Sequence, residues 1–247
     1  MRLSRRIYAL FECVSKGESA ADIGTDHGYV PMLLVKNRIS PRVIMGDISP
    51  DSLSKAVATF KEAGLEVPDD DFRVCNGLDG INPGEVDDII IAGLGAHTIV
   101  SILDSNPGKT RSFKKLILQP RKHSGNLRYY LYVNGYEIVK EILVPEGKFM
   151  CEIIVAAPSD TESRRPSLPE DSIEWKYPRA YDNLPYEYVS QRVGWKIKSI
   201  DEEIENLKGS KHDRSQLIGR LQTEREYLSS ILDKNLKNNS KGKGQGK

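Results

Sequence analysis

Asp22-Ile23-Gly24-Thr25-Asp26-His27-Gly28-Tyr29-Val30-Pro31, preceded by the small apolar run Ser19-Ala20-Ala21, decides the fold. It reads as the end of a buried strand, a glycine-punctuated turn carrying two carboxylates and an imidazole, and a helix from Val30 to Lys36. Such turns lie at the carboxyl edge of α/β sheets, where nucleotide-like ligands bind. The phosphate-binding version, G-x-G-x-x-G, uses three glycines so that backbone amides and a helix N-terminus close on a pyrophosphate. Here Asp26 stands at the middle glycine position and Asp22 closes the strand. Two anions suit a ligand with a cationic end better than one with phosphates. S-adenosylmethionine, with its ammonium and sulfonium, has that character.

Downstream, the pattern alternates between strand and helix. Val43–Met45, Phe72–Cys75, Asp88–Ala92 and Lys115–Leu118 read as strands; Pro50–Ala63, Ala96–Leu103 and Gly125–Val133 read as helices. Asp88–Ala92 is continuously apolar after its first residue, as expected of a strand covered on both faces. Tyr136–Leu143 and Phe149–Ala156 flank Pro145-Glu146-Gly147-Lys148, which is hairpin chemistry. A doubly wound parallel sheet ending in an antiparallel hairpin is the seven-stranded Rossmann-like pattern of class I methyltransferases. Leu3, Ile7, Leu10 and Val14 predict an amphipathic helix ahead of the first strand.

Beyond the proline-rich Pro158–Pro169, Val193, Ile197, Ile200, Ile204 and Leu207 keep a heptad seam. Gly209-Ser210-Lys211-His212-Asp213 interrupts it, with Asp213 placed as an N-cap, and Ile218, Leu221, Leu228 and Leu232 form a second seam. The expectation is an antiparallel hairpin of two helices, each of about 22 residues. The domain reading is therefore a methyltransferase domain over 1–157, a linker over 158–172, a helical coiled-coil domain over 173–235 and a disordered basic tail over 236–247.

A hydrophobic content of 38% and a net charge of +1 describe a soluble globular chain and exclude a strongly polyanion-binding class on charge alone. The 17 basic and 14 acidic residues of 161–247 give the second part a slight positive balance. Cys13, Cys75 and Cys151 are isolated and lie in apolar runs, so buried free thiols and a cytoplasmic location are expected. No apolar run reaches membrane-spanning length, and the basic N-terminus lacks a signal-peptide core, so no membrane partner is expected.

The other strand ends supply the remaining candidates. Asp47, 25 positions beyond Asp22, suits either two vicinal ribose hydroxyls or the N-terminus of the following helix. Asn76-Gly77-Leu78 ends the third strand where an adenine loop or a simple turn would lie. Ala92-Gly93-Leu94-Gly95-Ala96 ends the fourth strand, and its glycines permit close approach of a flat ring. Gln119-Pro120 ends the fifth. His27, His97 and His123 have no second ligand in sequence, so no metal site is expected.

With these segments assembled, the chain resembles the TrmK family of bacterial tRNA (adenine-N1)-methyltransferases. The resemblance covers about residues 2–157. It rests on Leu3-Ser4-x-Arg6, Asp22-Ile23-Gly24-x-Asp26-His27-x-Tyr29-x-Pro31, Asn76-Gly77-Leu78, Ile91-Ala92-Gly93-x-Gly95, Leu116-Ile117-Leu118-Gln119-Pro120, Leu127-Arg128 and Glu152-Ile153-Ile154. It implies methylation of N1 of an adenine at tRNA position 22, in the D-arm. It implies cofactor contacts from Asp22, Gly24, His27, Asp47, Ile48, Asn76, Gly77, Leu78, Ala92 and Gly93. Substrate contacts would come from Arg6, Tyr29, Leu94, Gly95, Gln119, Pro120 and Arg121. Three positions depart from the family: Ala96 for a further glycine, Leu94 for methionine and Arg121 for asparagine.

Adenine N1 carries a lone pair, so attack on the sulfonium methyl needs no strong base, and the ring becomes cationic. Asp26 is the candidate catalytic carboxylate for that charge, its alternative role being to stabilise the turn or contact the cofactor. Arg2/Arg5/Arg6, Lys109/Arg111/Lys114/Lys115, Arg121/Lys122 and the Lys-rich tail are candidate tRNA patches. The expected state is a monomer or weak homodimer without metal. The competing readings are a small-molecule methyltransferase and a cofactor-binding or interaction protein without activity.

Overall fold

The computed structural model describes residues 3–147, 149–160, 164–210 and 212–242. They divide into two compact units, Met1–Glu170 and Asp171–Lys247. Arg2 and residues 243–247 of the tail lie outside the described residues, as does Lys211 of the interhelical loop.

The first unit opens with α1 (Arg5–Phe11) and β1 (Ala20–Ile23). It continues through α2 (Tyr29–Lys36), β2 (Val43–Asp47), α3 (Pro50–Glu62), β3 (Phe72–Val74), β4 (Asp88–Leu94), α4 (Ala96–Asp104) and α5 (Pro107–Thr110). It closes with β5 (Lys115–Pro120), α6 (Ser124–Val133), β6 (Tyr136–Glu146) and β7 (Phe149–Pro158). The seven strands form one sheet in the order β3-β2-β1-β4-β5-β7-β6. β1 to β5 run parallel, whereas β7 pairs antiparallel with both β5 and β6. The strand order reverses between β1 and β4, the topological switch where such sheets bind ligands.

Alternation along each strand covers both sheet faces. Ile89 and Ile91 pack with Ile99, Leu103, Leu127 and Leu131 of α4 and α6. Ile90, one residue out of phase, packs with Leu10, Val30 and Leu34 beneath α1 and α2. Each fully buried isoleucine contributes about 1.5–3 kcal/mol by leaving water. Helix α3 starts at Pro50 because Ser49 accepts the Ser52 amide and proline fixes the first helical φ. The predicted first helix ends earlier than its apolar spacing suggests. Val14 lies beyond α1 yet is buried, so the side chain belongs to the core and not to a further helical turn.

The second unit comprises α7 (Ile173–Lys176), a 3-10 turn at Arg179–Asn183, α8 (Tyr186–Lys208) and α9 (Ser215–Gly242). Helices α8 and α9 pack along a seam that buries Val193, Ile200 and Ile204 against Leu221, Leu228 and Ile231. Asp201–Arg225 and Lys196–Glu224 ion pairs flank it. Ile231 is fully buried, and Leu232 of the predicted second seam is half-buried beside it. Asp213 accepts the Ser215 amide at 2.9 Å and so starts α9.

Within the stretch predicted to be disordered from residue 236, α9 continues to Gly242. Its asparagines explain this. Buried Asn235 donates to the Tyr181 and Leu184 carbonyls, both at 2.7 Å, and Asn238 and Asn239 donate to those of Asp182 and Leu184. These amides fasten the helix to the 3-10 turn, a partnership invisible to composition. The cysteines also differ from expectation: all three are free, but only Cys13 is fully buried, and Cys75 and Cys151 are half-buried.

Candidate active site

The strand ends at the β1/β4 switch build the site. After β1 the chain turns over Gly24, at a left-handed φ of +78° that glycine adopts without strain. The amides of Gly24 and Thr25 donate to the Gly46 carbonyl at 2.8 and 3.2 Å, tying the turn to β2. The buried Asp22 carboxylate accepts from Thr25 Oγ1 at 2.6 Å. Burial pushes its pKa up to about 6 against the Thr25 bond; the Asp47 charge adds to the rise and Arg6 opposes it. A carboxylate so placed gains from a cationic partner.

Asp26 and His27 are exposed at the same turn. Lys55 of α3 donates through Nζ to Asp26 Oδ1 at 2.8 Å, and His27 Nε2 lies 3.5 Å from Oδ2. The Lys55 hydrogen bond holds the Asp26 carboxyl below the usual carboxylate range. The His27 and Tyr29 rings stack, their centroids 5.1 Å apart and their planes within 5°. Gly28 packs the turn against α3, since a Cβ there would meet Ala56 Cβ at 3.0 Å.

At the end of β2, Asp47 Oδ1 accepts the Ser49 amide at 2.7 Å and the carboxylate stays partly open; Ile48 beside it is exposed. At the end of β3, Asn76 is exposed and Gly77 packs against Ile102. Leu78 differs from its neighbours. Its side chain is buried in the core, and its carbonyl accepts from Lys109 Nζ at 3.1 Å. Any cofactor contact at Leu78 therefore falls to its backbone amide, since an aliphatic side chain here gains more from the core.

Between Ala92 and Leu94 the β4–β5 register shifts, with Gly93 at φ +77°, a bulge of the kind that re-aims a strand end. The Gly93 amide donates to Gln119 Oε1 at 3.1 Å. Leu94 faces the first turn, its Cδ1 3.6 Å from where a Cβ on Gly24 would lie. Gly95 is exposed at the start of α4, and Pro120 is buried at the end of β5. Arg121 is exposed, its amide donating to the Leu94 carbonyl at 2.8 Å, with its guanidinium beside Gly93.

The structure thus brings Asp22, Gly24, Leu94, Gly93, Gln119, Arg6 and Arg121 to one edge. Gln119 and Arg6, expected to contact substrate, spend polar groups on each other and on the protein. Sequence reasoning misses Thr25, Lys55 and Glu146. Thr25 could have been found as a hydroxyl three residues after a buried Asp; Lys55 and Glu146 reach their partners only through the fold. His97 and His123 come within 5.7 Å, ring to ring, and among the described residues no three metal-ligating side chains cluster.

A doubly wound sheet with a terminal antiparallel hairpin and two carboxylates at its switch point defines a Rossmann-like methyltransferase. Accordingly, the family model described as a methyltransferase domain matches residues 3–154. The tRNA (adenine(22)-N(1))-methyltransferase of Bacillus subtilis (strain 168) is 32% identical over 163 residues, covering 66% of this chain and 68% of that one. Among solved structures, the Bacillus subtilis m1A22 tRNA methyltransferase TrmK aligns over 94% of this chain and 99% of its own, at 25% identity and a TM-score of 0.69. Streptococcus pneumoniae Sp1610, solved in complex with S-adenosyl-L-methionine, aligns over 94% and 100%, at 25% identity and a TM-score of 0.71. The chain belongs to the family of bacterial tRNA (adenine(22)-N1)-methyltransferases.

Proposed function

We propose that the chain transfers a methyl group from S-adenosylmethionine to N1 of adenine 22 in the D-arm of tRNA. The observation that carries this reading is the 32% identity to the Bacillus subtilis enzyme over 163 residues, beside a methyltransferase-domain match over residues 3–154 that holds the carboxyl-edge site. The donor set fits the cofactor: Asp22 for a cationic end, Asp47 for ribose hydroxyls, and Asn76 with Gly77 beside an adenine. Gly24, His27, Ile48, Ala92 and Gly93 complete that side. When bound, S-adenosylmethionine supplies an electrophilic methyl on its sulfonium.

The protein's contribution is alignment and charge. N1 lies on the pairing edge, so the base must leave its stack at a cost of a few kcal/mol. Tyr29, Leu94, Gly95 and Pro120 form the acceptor side that receives it. Asp26, kept ionised by Lys55, offers the negative charge that the ring meets as it becomes cationic. Exposed Arg5, Arg121 and Lys122 provide phosphate contacts.

No helix among the described residues is long and apolar enough to cross a membrane. The free cysteines support a cytoplasmic location. Closure of the α8–α9 seam within one chain supports a monomer or weak homodimer. Incubation with labelled S-adenosylmethionine and unmodified bacterial tRNA, followed by nucleoside analysis, tests the activity. N1-methyladenosine at position 22 is expected, and its absence despite cofactor binding refutes the reading.

A further inference from the structure

Arg6, Gln119 and Glu146 lie far apart in sequence, on α1, β5 and the end of β6, yet they form one hydrogen-bonded chain at the carboxyl edge. Glu146 Oε2 accepts from Arg6 Nε at 2.5 Å, and Cys151 Sγ lies 3.5 Å from the same oxygen. Arg6 Nη1 donates to Gln119 Oε1 at 3.4 Å, and that oxygen also accepts the Gly93 amide at 3.1 Å. Gln119 Nε2 donates to the Pro120 carbonyl at 3.1 Å. Only 2% of Gln119 is exposed. Its oxygen therefore accepts two bonds, the capacity of a carboxamide carbonyl, and both donors come from the protein.

Gly93 needs such a partner. The bulge takes its amide out of the β4–β5 ladder, and glycine gives the backbone there more conformations than any other residue would. Gln119 Oε1 selects one of them, and Arg6 fixes that oxygen from the other side. We propose that Arg6 is a positioning residue for the methyl transfer, acting through Gln119 to hold the Gly93 bulge against the acceptor side of the site, with Glu146 orienting Arg6. The inference rests on the methyltransferase reading and assigns Arg6 and Gln119 a role other than substrate contact. Bulge misplacement by about 1 Å reduces turnover on the order of a hundredfold.

The full-length protein is assayed with unmodified tRNA as wild type, Arg6→Lys, Gln119→Met, Glu146→Gln and the Arg6→Lys/Gln119→Met double variant. Each single change should lower kcat by about tenfold to a hundredfold, with tRNA KM within about twofold of wild type. The double variant should lose no more than Gln119→Met alone, because the two act in series. Glu146→Gln keeps the size and shape of its side chain, so it carries the test if a β5 variant fails to fold. Unchanged kcat overturns the inference, as do additive losses. A raised tRNA KM with a flatter salt dependence in Arg6→Lys also overturns it, since that marks a direct phosphate contact. Wild-type protein that binds cofactor yet methylates no tRNA overturns the methyltransferase reading and this inference together.

Discussion

The Lys55 ammonium lies 2.8 Å from Asp26 Oδ1, so this exposed carboxylate of the turn after β1 is anchored by the helix that follows β2. Lys55 does two things to it. The hydrogen bond fixes its orientation and keeps it ionised, and the positive charge reduces the potential it can project onto the base. If Asp26 meets the cationic ring, Asp26→Asn should lower kcat by about tenfold to a hundredfold and leave cofactor affinity intact. Lys55→Met should cost less, since the carboxylate survives. Single-turnover methylation with a parallel cofactor titration checks both. Full turnover in Asp26→Asn would reduce Asp26 to a turn-stabilising group.

If Asp22 faces the cationic end of the cofactor, cofactor binding should depend on pH. The folded-state Asp22 pKa of about 6 exceeds the ordinary 3.8, so the folded chain without ligand takes up a proton between those values. The apo protein accordingly loses stability as pH rises through that window. A bound cation reverses the preference, because it favours the ionised carboxylate. Cofactor affinity should fall as pH drops below about 6, approaching tenfold per pH unit. Calorimetric titration from pH 5 to 8 reads this directly, and Asp22→Asn should flatten the profile. An equally steep profile in the variant would assign the titration to another group.

Much of this site is written locally. Asp22, Gly24, Thr25 and Gly28 fall within seven residues, and their backbone and side-chain bonds are short-range or reach the adjacent strand. Period and glycine placement reveal such features. Gln119 and Arg6 lie 113 positions apart, and Arg6 and Glu146 lie 140 apart. Nothing in their own segments announces a meeting, so Arg6 and Gln119 are legible as candidates while their partnership is not, and Glu146 is not legible at all. Leu78 shows the converse: its segment reads as a ligand loop, but its side chain is drawn into the core. In the second unit, the Asn-rich end of α9 has a disordered composition, yet its amides find carbonyls in a turn more than fifty residues earlier.

Gly28 has two reasons to remain glycine. Its φ is +63°, and an added Cβ would sit 3.0 Å from Ala56 Cβ. The left-handed conformation costs a substituted residue about 1–2 kcal/mol. Contact with the methyl of a packed helix adds about 1–3 kcal/mol, because Ala56 cannot rotate away. Gly28→Ala should therefore lower unfolding stability by roughly 2–5 kcal/mol and weaken cofactor binding by displacing the turn from α3. Urea unfolding followed by circular dichroism measures the first effect, and a midpoint unchanged from wild type would contradict it.

Arg128 raises a different question, whether a charged group deep in the fold supports stability. Its Nε lies 2.6 Å from Glu141 Oε1 and its Nη2 lies 2.7 Å from Glu152 Oε2, with all three side chains buried. One cation thus stands between two carboxylates on β6 and β7, joining α6 to the terminal hairpin. Desolvation of three charges cancels much of their attraction, so the cluster adds little over a well-packed apolar core. Removing only the cation is another matter, because both buried carboxylates then lose its hydrogen bonds. Arg128→Met should destabilise the first unit by about 3–5 kcal/mol near neutral pH. Urea unfolding midpoints for wild type, Arg128→Met and Arg128→Lys at one neutral pH give the comparison. A midpoint for Arg128→Met unchanged from wild type would contradict the prediction, and a full recovery in Arg128→Lys would assign the loss to the missing charge.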